Sequence, residues 1–300
     1  MDKNLKLKGI IPVLITPLTL DEKVDEKGLR QLVRHILKQK VNAVVVCGSM
    51  GEFPALTPKE RIKAIKIVKE EIDEDTLLIA GTGDTSLKKA INNSHDAQEA
   101  GADIALVVPP FYFPISQKDI ISFYKELTAE IDLPVLIYNI PSCTKIQINL
   151  DVIKEISNEK KIIGIKDSSG DFIFFEHLVL QAREMENFCV LMGIDILIYA
   201  GFLIGADGAI VWSSNLAPKL PIELYKAIEA GNFKYAWEIQ KKLIYLNDIL
   251  SKKEIHSGLK ASLKLLGICD QYTSKPFPTF SSQEIDELSE NLKKAHILEI

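Results

Sequence analysis

The sequence predicts an α/β fold, a closed (β/α)8 barrel of the TIM-barrel type followed by a C-terminal helical extension. Three observations predict it. Short apolar runs alternate with helix-period segments through eight successive units. The first strand-to-helix turn, Thr16-Pro17-Leu18-Thr19, has no glycine, whereas an open doubly wound sheet carries its phosphate-binding glycines there. After about residue 231 the strand patterns stop and only helical ones follow. The chain therefore divides into an expected barrel over 1–230 and a helical region over 231–300.

Gly9 to Ile15 reads as the first strand. In the segment 25–40, Leu29, Leu32, Val33, Ile36 and Leu37 line one face of a helix. Val41 to Cys47 is valine-rich on both faces, as a strand covered on two sides requires. Thr57-Pro58-Lys59-Glu60 opens the second helix, with Thr57 as cap, Pro58 in the first turn and Glu60 placed to complete a capping box. Strands follow at 76–80, 102–108, 134–138, 162–166, 189–192 and 208–212, with helical patterns at 87–101, 118–131, 150–157, 172–185, 195–204 and 222–230. Phe233 to Leu250, His256 to Leu266 and Ser282 to Lys294 form the helical end of the chain.

Composition narrows the function. With 47% hydrophobic and 26% charged residues the chain has a soluble globular profile. A net charge of −5 speaks against a nucleic-acid partner. No run reaches the ~18–20 apolar residues of a membrane span, and MDKNLKLKGIIPVL lacks the apolar core and cleavage site of a secretory signal. Cys47, Cys143, Cys189 and Cys269 are widely spaced without a CxxC pair, so a reduced cytoplasmic protein without disulfides is expected. None of the five histidines falls in an HxH or HExxH pattern, so no metal is expected.

In such a barrel the reactive groups stand at the C-terminal ends of strands. Lys166 ends the apolar strand Ile162-Ile163-Gly164-Ile165. Desolvation there disfavours an ammonium, and a neutral amine is the nucleophile that condenses with a ketone. An ion pair at the rim, or an outward turn, accounts for the lysine equally well. Tyr138 ends the neighbouring strand, where a phenol either passes protons or simply packs. Gly48-Ser49-Met50-Gly51-Glu52 presents backbone N–H groups and the Ser49 hydroxyl to a carboxylate, or is a turn that uses glycine for positive φ. Gly81-Thr82-Gly83 is too short for a nucleotide loop. The loops after strands seven and eight lack a glycine-rich phosphate cup, so an unphosphorylated substrate is expected.

Taken together, GSMGE (48–52), YNIPS (138–142) and GIKDSSGD (164–171), with the GxD of Gly193 to Asp195 and GADGAI (205–210), resemble the dihydrodipicolinate synthase / N-acetylneuraminate lyase family of class I aldolases and dehydratases. The resemblance runs from about Gly9 to Pro218. It implies that Lys166 forms the Schiff base and acts as electron sink, so that no cofactor is needed. It implies that Tyr138 relays protons, and that Ser49, with the backbone of Ser49 and Met50, holds the substrate carboxylate. Tyr112 in PPFYF matches a tyrosine that enters the site of an adjacent subunit, which implies a homo-oligomer. The Ile210 backbone lines the pocket, and Ser168 is compatible with binding a substrate hydroxyl.

Two departures point away from the lysine-pathway synthase. Ser49 and Met50 stand where that branch has two threonines, and Cys143 stands where it has an arginine. A thiol makes no bidentate carboxylate contact, a loss of about 2–3 kcal/mol in recognition. Ile196 and Trp212 occupy sugar-recognising positions of the sialic-acid branch and suit no polyol. The motifs sit closer to the 4-hydroxy-2-oxoglutarate and 2-keto-3-deoxy-sugar-acid aldolases. The expected activity is therefore cleavage of a short 2-oxo acid to pyruvate or glyoxylate. The synthase reaction is the alternative, and a non-catalytic 2-oxo-acid-binding barrel is the alternative of another class.

Overall fold

Eight parallel strands alternate with helices around a closed ring. The computed structural model describes residues 7–297; residues 1–6, the start of the N-terminal stretch read above, and 298–300 lie outside it. The strands are β1 (Gly9–Pro12), β2 (Ala43–Val46), β3 (Leu77–Gly81), β4 (Ile104–Val107), β5 (Val135–Asn139), β6 (Ile162–Asp167), β7 (Cys189–Met192) and β8 (Gly208–Val211). Between them run α1 (Glu26–Leu37), α2 (Pro58–Glu71), α3 (Leu87–Glu99), α4 (Gln117–Glu130), α5 (Pro141–Thr144), α6 (Leu150–Ile156), α7 (Phe172–Ala182) and α8 (Ile198–Leu203). After β8 come α9 (Lys219–Glu229), α10 (Phe233–Leu250), α11 (Ile255–Leu265) and α12 (Ser282–Lys294).

The strand order is β1-β8-β7-β6-β5-β4-β3-β2. The ring closes between β1 and β2 through a single bridge, Val13 with Val45, and the Leu14 N–H donated to the Val45 carbonyl at 2.8 Å. Asn215 seals the other side of β1. Its amide donates to the Val13 and Trp212 carbonyls, both at 2.7 Å, and its oxygen accepts from the Ile15 N–H at 3.0 Å. The first strand ends at Pro12 rather than Ile15 because the next residues bond to a side chain and to isolated partners instead of a ladder.

Strand periodicity sorts the side chains. Val135, Ile137, Ile165, Val190, Ala209 and Val211 pack with the helix layer, against residues such as Phe123 and Leu178. Leu136, Tyr138, Leu191 and Ile210 belong to a second cluster. Lys166 is in register with Tyr138 on one side and Leu191 on the other, so it shares their face, the inside of the barrel.

Some local expectations change. Thr57 caps α2 by accepting from the Glu60 N–H at 3.3 Å, but there is no capping box. The Glu60 carboxylate accepts from the Val24 N–H at 2.7 Å instead, and Lys63 donates to the Val24 carbonyl at 2.9 Å, so α2 satisfies a buried peptide of the β1–α1 loop. The segment 195–204 is a 3-10 turn over Asp195–Leu197 that passes into α8. The four-residue α5 follows directly on β5 and had no periodic signal long enough to read.

Candidate active site

The expected site residues arrive at one end of the barrel from different strands. Lys166 is buried, with 3% of its surface exposed. Its Nζ lies over the Tyr138 ring, 4.2 Å from the ring centre. The Tyr138 hydroxyl stands 3.3 Å from the Ser49 hydroxyl. Tyr138 thus stands between the amine, which lies over its ring, and the Ser49 alcohol, which meets its hydroxyl.

That loop is a 3-10 turn over Ser49–Gly51. Its Gly51 and Glu52 N–H groups are spent on the Gly48 and Ser49 carbonyls, each at 3.0 Å. The first N–H groups of such a turn have no partner inside it, which leaves those of Ser49 and the half-buried Met50 to hold an anion. Positive φ falls on Cys47 and Glu52, not on the glycines. Gly48 is needed for space, since a Cβ there would meet Val13 Cγ2 at 2.9 Å.

Glu52 turns inward and is held from far along the chain. It pairs with Lys260 of α11 at 2.5 Å, and Oε2 accepts from the Ser274 N–H at 2.7 Å; both charged side chains are buried. Burial pulls the Lys260 ammonium below its ordinary range, and the Glu52 carboxylate opposes that shift. His256, also of α11, contacts the Ser49 carbonyl through Nε2 at 3.2 Å and Glu254 through Nδ1 at 3.1 Å.

Behind Lys166 the strand ends are tied together. Asn139 donates to Asp167 at 2.6 Å, and Asp167 also accepts from the Ser169 hydroxyl at 2.8 Å. Burial raises the Asp167 carboxyl above its usual range, and these two donors hold it partly back. Gly193, after β7, lets the backbone pass beside the lysine: a Cβ there would meet Lys166 Cε at 2.8 Å and Ser168 Oγ at 2.1 Å. Ser168 is buried beside it and donates to the Gly193 carbonyl at 3.2 Å. Asp195 is buried, accepts from the Trp212 and Ser213 N–H groups at 3.3 and 2.9 Å, and is pushed up to about 6 by burial against the pull of these donors and of Lys166.

The structure brings Lys166, Tyr138, Ser49, Met50, Ser168 and Ile210 to this end of the barrel. It does not bring Tyr112 there: that side chain is 84% exposed on the loop after β4, with its ring edge-on to Phe113 at 5.0 Å. Sequence reading missed His256, Lys260 and Ser274, whose contacts span most of the chain. It also missed a cleft of about 440 Å³ that opens from Ser49 and contains Cys143. Its signal was the recurrence of Pro–Phe pairs at 53–54, 110–111 and 276–277. Among the described residues no three His, Cys, Asp or Glu side chains are grouped to hold a metal ion, and no helix is long and apolar enough to cross a membrane.

A family model described as the Dihydrodipicolinate synthetase family matches residues 6–295. A Methanopyrus kandleri protein named 4-hydroxy-tetrahydrodipicolinate synthase is 30% identical over 98% of both chains. A Pyrobaculum arsenaticum protein named an uncharacterized DapA-like lyase is 34% identical over 81% of this chain and 80% of its own. The solved structure of YagE, a prophage protein of the dihydrodipicolinic acid synthase family from E. coli K12 in complex with pyruvate, superposes with a TM-score of 0.92 at 27% identity, covering 97% of this chain and 99% of that one.

Proposed function

Because the chain belongs to the dihydrodipicolinate synthetase family of Schiff-base lyases, we propose that it is a class I aldolase that cleaves a 4-hydroxy-2-oxo acid to pyruvate and an aldehyde. The observation that carries this reading is the grouping of Lys166, Tyr138 and Ser49, with Nζ 4.2 Å from the tyrosine ring and the two hydroxyls 3.3 Å apart. Lys166 is buried and has no carboxylate within salt-bridge distance among the described residues, unlike Lys260, so its Nζ is not tied up in an ion pair.

The steps follow from the groups present. The substrate carboxylate lies against the Ser49 and Met50 N–H groups and the Ser49 hydroxyl. Lys166 Nζ adds to the C2 carbonyl, and Tyr138 gives its proton to the departing hydroxyl, so that water leaves, the iminium forms and Tyr138 is left as phenolate. Tyr138 takes the proton of the C4 hydroxyl; the C3–C4 bond breaks, its electrons pass to the iminium, and the aldehyde leaves. The enamine takes that proton back from Tyr138 at C3; water then adds to the iminium, Tyr138 accepts the proton released, and pyruvate leaves with the amine and the phenol restored. The Ser49 hydroxyl supplies and receives the proton that Tyr138 turns over. Ser168 and the Ile210 backbone border the reacting carbons. Tyr112 serves the site of a second copy of the chain in a homo-oligomer, which accounts for an exposed tyrosine at φ +86°.

Borohydride with pyruvate tests the reading. The wild-type chain is expected to gain a stable pyruvyl mass that Lys166→Ala cannot acquire; an unmodified wild-type chain would overturn it. A second reading, condensation of pyruvate with aspartate semialdehyde, is favoured by the synthase name of relatives such as the Methanopyrus kandleri protein. Cys143→Arg would then raise turnover of that pair.

A further inference from the structure

The cleft that opens from Ser49 has a chemical character of its own. Its walls come from the loops after β2, β4 and β5 and from the segment after α11, and are made by Phe53, Phe111, Ile140, Cys143, Pro276 and Phe277. Phe53 and Phe111 meet edge to face at 6.2 Å. Phe277 stacks on His256 at 5.1 Å, and both His256 ring nitrogens are already engaged. Glu52, at the floor, is neutralised by Lys260. The single lysine or arginine among the described residues lining the cleft is Lys275, whose side chain is 86% exposed and stands 3.9 Å from Glu22. A volume of about 440 Å³ suits a small organic group.

These walls discriminate. A second carboxylate placed among them would lose water and find only the exposed Lys275, and a run of hydroxyls would meet only the hydroxyls of Ser49, Thr144 and Ser274, already bonded to Tyr138, the Ile140 carbonyl and Glu52. An apolar group loses nothing and removes ring and aliphatic surface from water. We infer that this cleft is the subsite for the substituent on C4 of the cleaved acid, and that this substituent is apolar, aromatic or branched aliphatic. The inference rests on the Schiff-base reading above and narrows its substrate class: the aldehyde released is an uncharged hydrophobic aldehyde. Cys143 is the specificity-determining position, because it sits at the cleft where a cation would admit an anion.

The test runs the reaction in reverse, so that the pyruvate enamine attacks the aldehyde carbon and forms the C3–C4 bond. Pyruvate is offered benzaldehyde, isobutyraldehyde, glyoxylate, glyceraldehyde or aspartate semialdehyde, and product is followed by mass spectrometry. The expected result is a kcat/KM for benzaldehyde or isobutyraldehyde about tenfold or more above those for the charged and polyol aldehydes. Cys143→Arg, at an exposed position, is expected to shift that ratio toward glyoxylate and aspartate semialdehyde. Equal or better turnover of the charged or polyol aldehydes by the wild type would overturn the inference. So would the absence of turnover with every aldehyde in a chain that borohydride still couples to pyruvate. Loss of that coupling would instead bring down the Schiff-base reading on which the subsite depends.

Discussion

Glu52 and Lys260 form an ion pair sealed from solvent that joins the loop after β2 to helix α11. Two buried charges are tolerable only as a set: removing one leaves the other desolvated and unpaired. Lys260→Met is therefore expected to cost about 3–5 kcal/mol of unfolding free energy. The double replacement Glu52→Gln with Lys260→Met should recover a large part of that loss. Urea unfolding measures both. A single replacement that costs under about 1 kcal/mol would mean that water reaches the pair.

Tyr138 separates chemistry from capture. Tyr138→Phe keeps the ring beside Lys166 Nζ and deletes the hydroxyl that faces Ser49. Its kcat should fall by about 10²–10⁴, while borohydride still couples pyruvate to Lys166. A mutant whose kcat is unchanged would remove Tyr138 from the proton path.

Asp195 gives a pH signature of known sign. Its carboxyl is raised to about 6 in the folded protein, so between the unfolded value and 6 the native state holds more protons than the unfolded one. The stability that this group contributes is present at low pH and is lost as pH rises from about 4 to 6. Wild type minus Asp195→Asn should fall by about 3 kcal/mol across that window and stay flat above it. Denaturant titrations at pH 4, 5, 6 and 7 trace the difference; a difference that rises with pH would reverse the assignment.

Asn139 and Asp167 test the support of the lysine. Asn139→Ala removes the donor at 2.6 Å from a buried carboxylate and should cost about 1–3 kcal/mol. The Asp167 carboxyl should move further up, a change visible in the carboxylate infrared band.

Tyr112 reports on assembly. Tyr112→Phe should leave the unfolding midpoint unchanged, since the side chain is exposed within its own chain, yet lower kcat by about tenfold. Mixing Tyr112→Phe with Lys166→Ala chains should restore activity as mixed oligomers form. Mixtures no more active than Tyr112→Phe alone would confine the reaction to a single chain.

What could be read from the sequence divides by distance along the chain. The strand-end positions of Lys166, Tyr138 and Ser49 were legible because a strand end is a local feature: an apolar run followed by a polar residue marks the rim of a barrel, while the roles expected of them came from the resemblance alone. His256, Lys260 and Ser274 carry no such mark. Each reads as an ordinary residue of a helix or loop, and its partner, Ser49 or Glu52, lies more than two hundred positions away. The aromatic cleft was hidden for the same reason, since its walls come from four separate segments. The Glu60 capping box failed because a buried N–H at Val24 is a more demanding partner than an exposed cap.

Asn215 has a consequence for how the molecule assembles. During synthesis β1 is the first strand made, yet its ladder partner is β8, the last, and its link to β2 is a single bridge. The opening strand must wait, with its edge unpaired, until the amide that clasps it has been translated. Release of a chain that stops before Gly208 leaves seven strands curled around a gap, and an open edge of that kind is where one nascent copy can borrow a strand from another.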